Sequence, residues 1–473
     1  MAKLKEIPQR LGYILGAQWT RDLSWTLFTI LLARHSQATL GQIMLALSYG
    51  YLCKTVADVG LNDYLRSTFA RNQYPPRELL AEVTWLKSAF LVLALAGVWL
   101  TTGMQGYTTE LRLIVLCIAA GFGLDGVSDS FFALCQARGR HDVEMRLRIP
   151  AALLGIGYGI VLVLLQAPPL YVALFKLIES VICIVCACVA LRRAPAVRLG
   201  WAGLRDLAGK MRNGLVFTGM AVCAMVYNKL NVFFLKQYGG DAAVGGYSVA
   251  WETVEGLSTL ISSALLGKVI FPLLSKLWRE DKEEFRRISG QTARSLWAAA
   301  LPIIFLICVE SDRFLTLVYG DAYSTAVTAQ RLLTPCLATA FLHNLAAYAM
   351  MAMQRERQLF WFYVSGLVVN IALCFWLIPL MPLEGAALSL TGAKVWVAIL
   401  TVSIFQWTAH PMTGGQWALM TGVACFAVAL WYGLQPFVPR EIAELAGLLP
   451  LLALFWRWRP PSMFDKQTQQ KTA

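Results

Sequence analysis

Leu170-Tyr-Val-Ala-Leu-Phe-Lys-Leu-Ile-Glu-Ser-Val-Ile-Cys-Ile-Val-Cys-Ala-Cys-Val-Ala-Leu191 decides the class of this chain. Its only charges are Lys176 and Glu179. Spaced i, i+3, they share a helix face and can neutralise each other. A helix rises about 1.5 Å per residue, so about 20 apolar residues cross a hydrocarbon core of about 30 Å. Runs of this kind recur along nearly the whole sequence. Of 473 residues, 58% are hydrophobic and 15% charged, and the mean hydropathy is +0.57. A soluble chain of this length would carry more charge and polar linkers.

The pattern predicts an all-α polytopic membrane protein of about fourteen spans. Six fill residues 1–191, at Gly12–Ala33, Gly41–Leu61, Val83–Thr102, Leu111–Ala133, Ile149–Gln166 and Leu170–Leu191. A cytoplasmic linker is expected over 192–213. Six more fill 214–405, at Gly214–Leu235, Gly245–Leu274, Ser295–Val309, Ala329–Met353, Leu359–Ile378 and Leu383–Phe405. Residues 406–473 hold two extra helices, Gln416–Leu434 and Glu441–Trp456, and a tail. The basic start, Met1 to Arg10, precedes an apolar stretch with no small-residue cleavage site, so the first span is expected to stay in the protein.

The loops test the count. With a cytoplasmic N-terminus, 28 Lys and Arg fall in inner segments and 6 (Arg34, Arg112, Lys236, Arg313, Arg331, Arg440) in outer ones. That split obeys the positive-inside rule in every short loop but one, Gln406–Gly415, which has only His410, and places both termini in the cytoplasm; a bacterial inner membrane is the expected location. The net charge of +13 is therefore a topology signal and calls for no nucleic-acid partner. Most of the eleven cysteines lie inside apolar runs and read as small hydrophobes. Cys183 and Cys186 have CxxC spacing without His or acidic neighbours suited to zinc.

A faint repeat is present. Phe132-Ala-Leu-Cys-Gln-Ala-Arg-Gly-Arg140 closes the fourth span and Ala349-Met-Met-Ala-Met-Gln-Arg-Glu-Arg357 the tenth; Gly41 and Gly246 open the second and eighth. Six spans separate each pair, so the copies share orientation. Two six-helix lobes around a central cavity follow, related by an axis along the membrane normal.

Val56-Ala-Asp-Val-Gly-Leu-Asn62, with Arg66 and Ala70-Arg71, resembles the end of the second helix in polysaccharide and O-antigen flippases. Similar to that family, in order, are Tyr227-Asn-Lys-Leu-Asn231, Val244-Gly-Gly-Tyr-Ser-Val-Ala250, Phe271-Pro-Leu-Leu-Ser275, Tyr319-Gly-Asp-Ala-Tyr323, and Ile378-Pro with Glu384-Gly-Ala-Ala387. The resemblance implies the multidrug/oligosaccharidyl-lipid/polysaccharide exporter fold, with alternating access and a cavity lined by the first, second, seventh and eighth helices. Asn231 stands where the family often has an acid, which sets that position apart from cation coupling.

A charge at the bilayer centre costs about 2.5–3.5 kcal/mol on insertion scales, so such residues should face a cavity or a partner. Seven bases lie within spans (Arg21, Lys54, Lys87, Lys176, Lys229, Lys268, Lys394) against seven acids (Asp22, Asp58, Asp125, Asp129, Glu179, Glu252, Glu255). The candidate phosphate-binding residues are Arg21, Lys54, Lys229 and Lys394. Asp22, next to Arg21, points about 100° away and is not expected to pair with it. Lys54 and Asp58, at i, i+4, read either as a self-neutralising pair or as a substrate contact. Glu252 and Glu255 share a face, and with Asp58 they are the candidates for proton or sodium coupling; the competing reading has Lys229 neutralising the two glutamates. Lys87 and Lys268 are expected to snorkel. Asp125 and Asp129 should pack on a basic neighbour, and His343 should be a hydrogen-bonded core residue.

Other motifs fail. Gly121-Phe-Gly-Leu-Asp-Gly126 matches GxGxxG but lies in a span without a strand before it. Gly155 and Gly159 read as a close-packing contact. The chain has no phosphate-binding P-loop, zinc spacing or nucleophile elbow, so no cofactor, metal or enzyme chemistry is expected. The inner segment Arg192–Arg212 reads equally as an amphipathic surface segment or a solvated linker. The reading is a flippase for a polyprenyl-diphosphate oligosaccharide in surface polysaccharide biosynthesis, with membrane lipids and polysaccharide polymerases as partners. The alternatives are a cation-coupled multidrug exporter of the same fold and a membrane glycosyltransferase or polymerase; the latter would need a larger outer loop than any here.

Overall fold

Ser36 ends one helix and begins the next. Its amide donates to Leu32 O at 3.1 Å, closing α1 (residues 20–35), and its hydroxyl accepts from Thr39 N at 3.2 Å, capping α2 (Gln37–Asp58). Such junctions repeat through the computed structural model, which describes residues 20–62, 76–137, 141–191, 215–261 and 270–458 with Leu65, Phe69 and Leu266. Among the described residues there is no strand. Nine helices among the described residues are long and apolar enough to cross a membrane, and each expected span overlaps a helix. Many large apolar side chains lie on the outside, among them Trp85, Leu93, Val185, Trp361, Phe375 and Phe426. That is the surface of a multi-pass membrane protein, where lipid replaces water.

The chain packs as two compact units, divided within a helix at Ser248/Val249. The first unit contains α1, α2, α3 (Pro76–Met104), α4 (Thr109–Ala137), α5 (His141–Leu164), α6 (Pro169–Leu191), α7 (Leu215–Ile261) as far as Ser248, and Val318–Tyr323. Helix α4 is its post, with α2, α3, α5 and α6 packed on it. Helices α5 and α6 meet at small residues: a side chain at Gly155 would come within 2.7 Å of Phe175 O, and one at Gly159 within 2.8 Å of the Phe28 ring. This is the close contact expected from sequence. Trp25 and Phe28 anchor α1 by stacking on Phe175 at 6.0 and 4.9 Å between centroids.

The second unit contains the rest of α7 from Val249, α8 (Phe271–Glu280), α9 (Lys282–Val309), α10 (Ser311–Tyr319) as far as Leu317, α11 (Val327–Leu333), α12 (Pro335–Ala352), α13 (Glu356–Leu377), α14 (Pro382–Ala409), α15 (Gly414–Leu434) and α16 (Arg440–Trp458). Helix α14 packs on α11, α12 and α13, while α9 joins α12 to α16. Three arginines assigned to outer loops meet at one end of this unit. Arg440 grips Asp312 at 2.6 and 2.7 Å and holds that carboxyl down to about 2, while Arg331 donates to Cys308 O and Arg313 to Glu441. Loops placed on the same side by the positive-inside rule do lie together.

Three boundaries differ from the hydropathy reading. Helix α5 begins eight residues before the expected Ile149, and α9 begins at Lys282 instead of Ser295. Charged first turns are helical here, and Asp281 caps α9 by accepting from Glu283 N and Glu284 N at 3.0 Å. The expected outer loop at 236–244 is a kink: the two arms of α7 meet at Gly240, whose φ of 73° suits glycine. Four of the eleven cysteines (Cys53, Cys183, Cys336, Cys374) are buried, and none is disulfide-bonded. The linker over 192–213, Lys268, Arg66 and Ala70-Arg71 lie outside the described residues.

Two glycines on α5 make opposite predictions. Gly155→Ala should destabilise the protein by about 1–3 kcal/mol, because the methyl meets backbone. Gly157→Ala, with nothing within 4 Å of the new carbon, should be neutral or stabilising by about 0.5–1 kcal/mol. Thermal unfolding of the two variants in detergent checks the contrast.

Candidate functional site

Asp125 and Asp129 lie one turn apart on α4 with Gly126 between them, and three other helices bring cations to these carboxylates. Lys176 of α6 bonds Asp125 Oδ2 at 2.6 Å and Glu179 at 3.0 Å, and Ser180 Oγ donates to Asp125 Oδ1 at 2.7 Å. Lys54 of α2 bonds Asp129 Oδ2 at 2.9 Å. Arg148 of α5 takes the other oxygen, Oδ1, and its Nε lies 3.2 Å from Glu144, which accepts from Gln136 at 2.6 Å. A fourth helix, α3, reaches the same turn through its backbone: Lys87 donates to Gly126 O at 3.0 Å, Asp58 at 2.6 Å and Asn62 at 2.6 Å. Three acceptors match the three protons of an ammonium.

Exposure separates these cations. Lys87 is fully buried and Lys176 is 9% exposed, whereas Arg148 is 27% and Lys54 30% exposed. Lys87 is saturated and Lys176 is enclosed between two carboxylates, so of these four only Arg148 and Lys54 can meet a solute without moving helices.

Several expected pairings change. Lys54 and Asp58 do not neutralise each other; each turns to a different helix, Lys54 to Asp129 and Asp58 to Lys87. The inter-helix partners win because they also satisfy α4. Lys87 does not snorkel: α3 begins at Pro76, so this lysine stands three turns inside the helix. Arg21 does reach Asp22, at 3.5 Å, because a long side chain can curl back to a sequence neighbour; both remain about half exposed. Asp125 and Asp129 do pack on basic neighbours, and Lys176 does pair with Glu179 as expected.

Of the remaining candidates, Lys229 lies 5.1 Å from the centroid of Tyr51. Tyr51 is one turn from Lys54 on α2, so the ring that Lys229 borders stands on the same helix face as Lys54. That ring stacks on Phe122 at 4.6 Å, and Lys176 lies 4.8 Å from Phe122 on the far side. In the second unit, Lys394 sits 4.7 Å over Trp251, and Glu252 and Glu255 are half-buried on α7. His343 is the expected core residue, between Thr401 at 3.1 Å and Tyr363 at 2.9 Å. Thr401 donates its proton to Val397 O, which assigns Nδ1 as the donor and Nε2 as the acceptor from Tyr363.

Sequence reading missed Arg148, Glu144, Asn62 and Tyr51. Arg148 stands one residue before the expected span start at Ile149, so hydropathy places it among the inner-segment charges. The signal for it was the i, i+4 spacing of Glu144 and Arg148, which extends the helix backward.

The family model described as polysaccharide biosynthesis protein matches residues 36–328, which include the whole charged cluster on α2 to α6. Among solved structures, the chain is similar to the lipid II flippase MurJ in an inward closed conformation. That likeness has a TM-score of 0.74 at 10% identity and covers 97% of this chain and 99% of that one. It is also similar to an inward-facing multidrug resistance MATE family transporter of the MOP superfamily (TM-score 0.64, 13% identity, 82% and 94% covered). A MOP superfamily transporter from Pyrococcus furiosus gives a TM-score of 0.53 at 14% identity, with 84% and 93% covered. These likenesses establish the fold. No curated protein sequence matches significantly.

The exposure ranking predicts unequal costs. Lys87→Met should lose at least about 1–3 kcal/mol, because it leaves Asp58, Asn62 Oδ1 and Gly126 O without their common donor. Adding Asp58→Asn should recover more than half of that loss. Lys54→Met should cost clearly less than Lys87→Met, because Arg148 still neutralises Asp129. Reversible unfolding in detergent measures all three, and equal costs for the two lysines would contradict the ranking.

Proposed function

The chain belongs to the polysaccharide biosynthesis protein family, and on that premise we propose that it flips a polyprenyl-diphosphate-linked oligosaccharide from the cytoplasmic to the outer leaflet. The observation that carries this reading is Lys54, 30% exposed, with Lys229 beside the Tyr51 ring one turn away, both inside apolar helices of the matched region. A lipid diphosphate cannot enter hydrocarbon without cations to replace its water, and Lys or Arg supplies both charge and donors. Arg21, half exposed on α1, Lys54 and Lys229 are the phosphate contacts in the first unit, and Lys394 is the one in the second. Arg21 is ranked first because its guanidinium can hold a phosphate through two hydrogen bonds.

Glu252 and Glu255 are the carboxylates for coupling to a proton or sodium ion. Asp58 is assigned instead to Lys87, whose ammonium holds it at 2.6 Å. The protein works in a bacterial inner membrane with both termini cytoplasmic, exposes its site alternately to the two faces, and delivers cargo to a polysaccharide polymerase.

The second reading is a cation-coupled multidrug exporter of the same fold. It draws on the acid excess around α4, where five carboxylates (Asp58, Asp125, Asp129, Glu144, Glu179) face four cations (Lys54, Lys87, Arg148, Lys176).

Deleting the gene and assaying which leaflet holds the lipid-linked sugar separates the two. The flippase reading expects a complete oligosaccharide lipid to accumulate facing the cytoplasm and wild type to restore its export. Arg21→Ala should restore about tenfold less, since a hydrogen bond to a charged group contributes about 1.5–3 kcal/mol. If the full-length lipid still reaches the outer face in the deletion strain, with no second flippase present, the reading fails and the exporter replaces it.

A further inference from the structure

Asp129 is the one carboxylate of the cluster on which cations from two other helices converge, one on each oxygen: Lys54 on Oδ2 and Arg148 on Oδ1. Removing Lys54 from that arrangement leaves Asp129 still ion-paired. The same is not true elsewhere in the cluster. Lys87 is the ion-pair partner of Asp58 and is fully buried, and Lys176 bridges Asp125 and Glu179 while almost fully buried. Lys54 is also the most exposed of the four cations, at 30%, and stands one turn from Tyr51, whose ring Lys229 borders. A lysine side chain has four rotatable carbon bonds and a compact ammonium, so it can change partner without backbone movement.

We propose that Lys54 is an exchangeable counterion, which leaves Asp129 for a phosphate oxygen of the cargo while Arg148 keeps Asp129 neutralised. This rests on the phosphate-carrier reading above and deepens it. Arg148 is then a positioning residue that never touches the cargo but decides how tightly Asp129 competes for Lys54. No bond to hydrogen is broken in the exchange. One ion pair, ammonium to carboxylate, is replaced by another, ammonium to phosphate. When the cargo leaves, Asp129 recaptures the lysine, so release is assisted by an internal anion.

The exchange makes predictions of opposite sign, which a merely structural role of these residues does not. The experiment is equilibrium binding of radiolabelled farnesyl diphosphate to the full-length purified chain in detergent, with unlabelled farnesol and inorganic pyrophosphate as competitors. Lys54→Gln should weaken binding at least about tenfold, the loss expected for one charge-assisted contact, and Lys54→Arg should retain most of it. Asp129→Asn should tighten binding several-fold, because the competitor is gone. Arg148→Gln should weaken it, because Asp129 then holds Lys54 alone, and Arg148→Lys should restore it. If Asp129→Asn does not fold, the Arg148→Gln and Arg148→Lys pair carries the test by itself. Competition by pyrophosphate as strong as that by farnesyl diphosphate supports the exchange and assigns the phosphate to a free ion. Strong competition only by the prenylated compound assigns it to a lipid headgroup. Wild-type binding with no loss in Lys54→Gln, or folded Asp129→Asn that binds no tighter, overturns the exchange and leaves the flippase reading standing. A wild type that binds no diphosphate at all overturns both.

Discussion

The paired acceptance of Lys54 and Arg148 by Asp129, one turn from the Lys176 pair on Asp125, holds the first unit together. In water such pairs would contribute little, because solvent screens them and apolar burial does the work. In hydrocarbon the helices gain nothing from hiding apolar surface, since lipid is as apolar as leucine, and association rests on close packing and polar contacts. Charges that must cross the bilayer therefore become the most directional contacts available. Here they converge on one turn of α4 from α2, α3, α5 and α6, with Lys87 reaching Gly126 O. Glycines then let the backbones approach, as Gly155 does against Phe175 and Glu179. The large apolar side chains that these contacts leave outside, such as Trp85 and Leu93, face the lipid.

That arrangement sorts the cations by what they are able to do. A lysine with three acceptors and no exposure, such as Lys87, has no donor left for a solute, and its removal strands an acid. Lys54 and Arg21 differ: each has an acidic partner and a substantial exposed fraction. The fold that MurJ and MATE transporters share does not by itself say what is carried. The cations with a substantial exposed fraction, Arg21 and Lys54, lie on α1 and α2, beside and in the region matched by the family.

The spans were legible in the sequence because a bilayer imposes a length, and Leu170–Leu191 has that length with almost no charge. Which loops share an end was legible as well: arginines assigned to outer loops, Arg313, Arg331 and Arg440, meet at one end of the second unit. Pairing within helices was legible for Lys176 and Glu179, but the third partner, Asp125, was not. Lys54 and Asp58 show why. Their spacing makes a local pair available, yet each has a stronger partner on another helix, and no local pattern encodes which helices adjoin. Arg148 and Lys87 were misjudged for a single reason: hydropathy marks where apolar character begins, whereas a helix begins at its cap. The start of α5 at His141 and of α3 at Pro76 carries both residues deep into helices. The break in α7 was placed in a loop because Lys236 to Val244 is polar; the chain instead turns on Gly240 alone.

The central claim is that charges pair across helices onto α4 instead of along their own helix. Double-mutant cycles on reversible unfolding test it most directly, comparing Lys54 with Asp129 and Lys54 with Asp58. The account predicts a coupling of about 0.5–3 kcal/mol between Lys54 and Asp129, the range for residues in one network, and a smaller or absent coupling between Lys54 and Asp58. Strong coupling of Lys54 to Asp58, with none to Asp129, would contradict it.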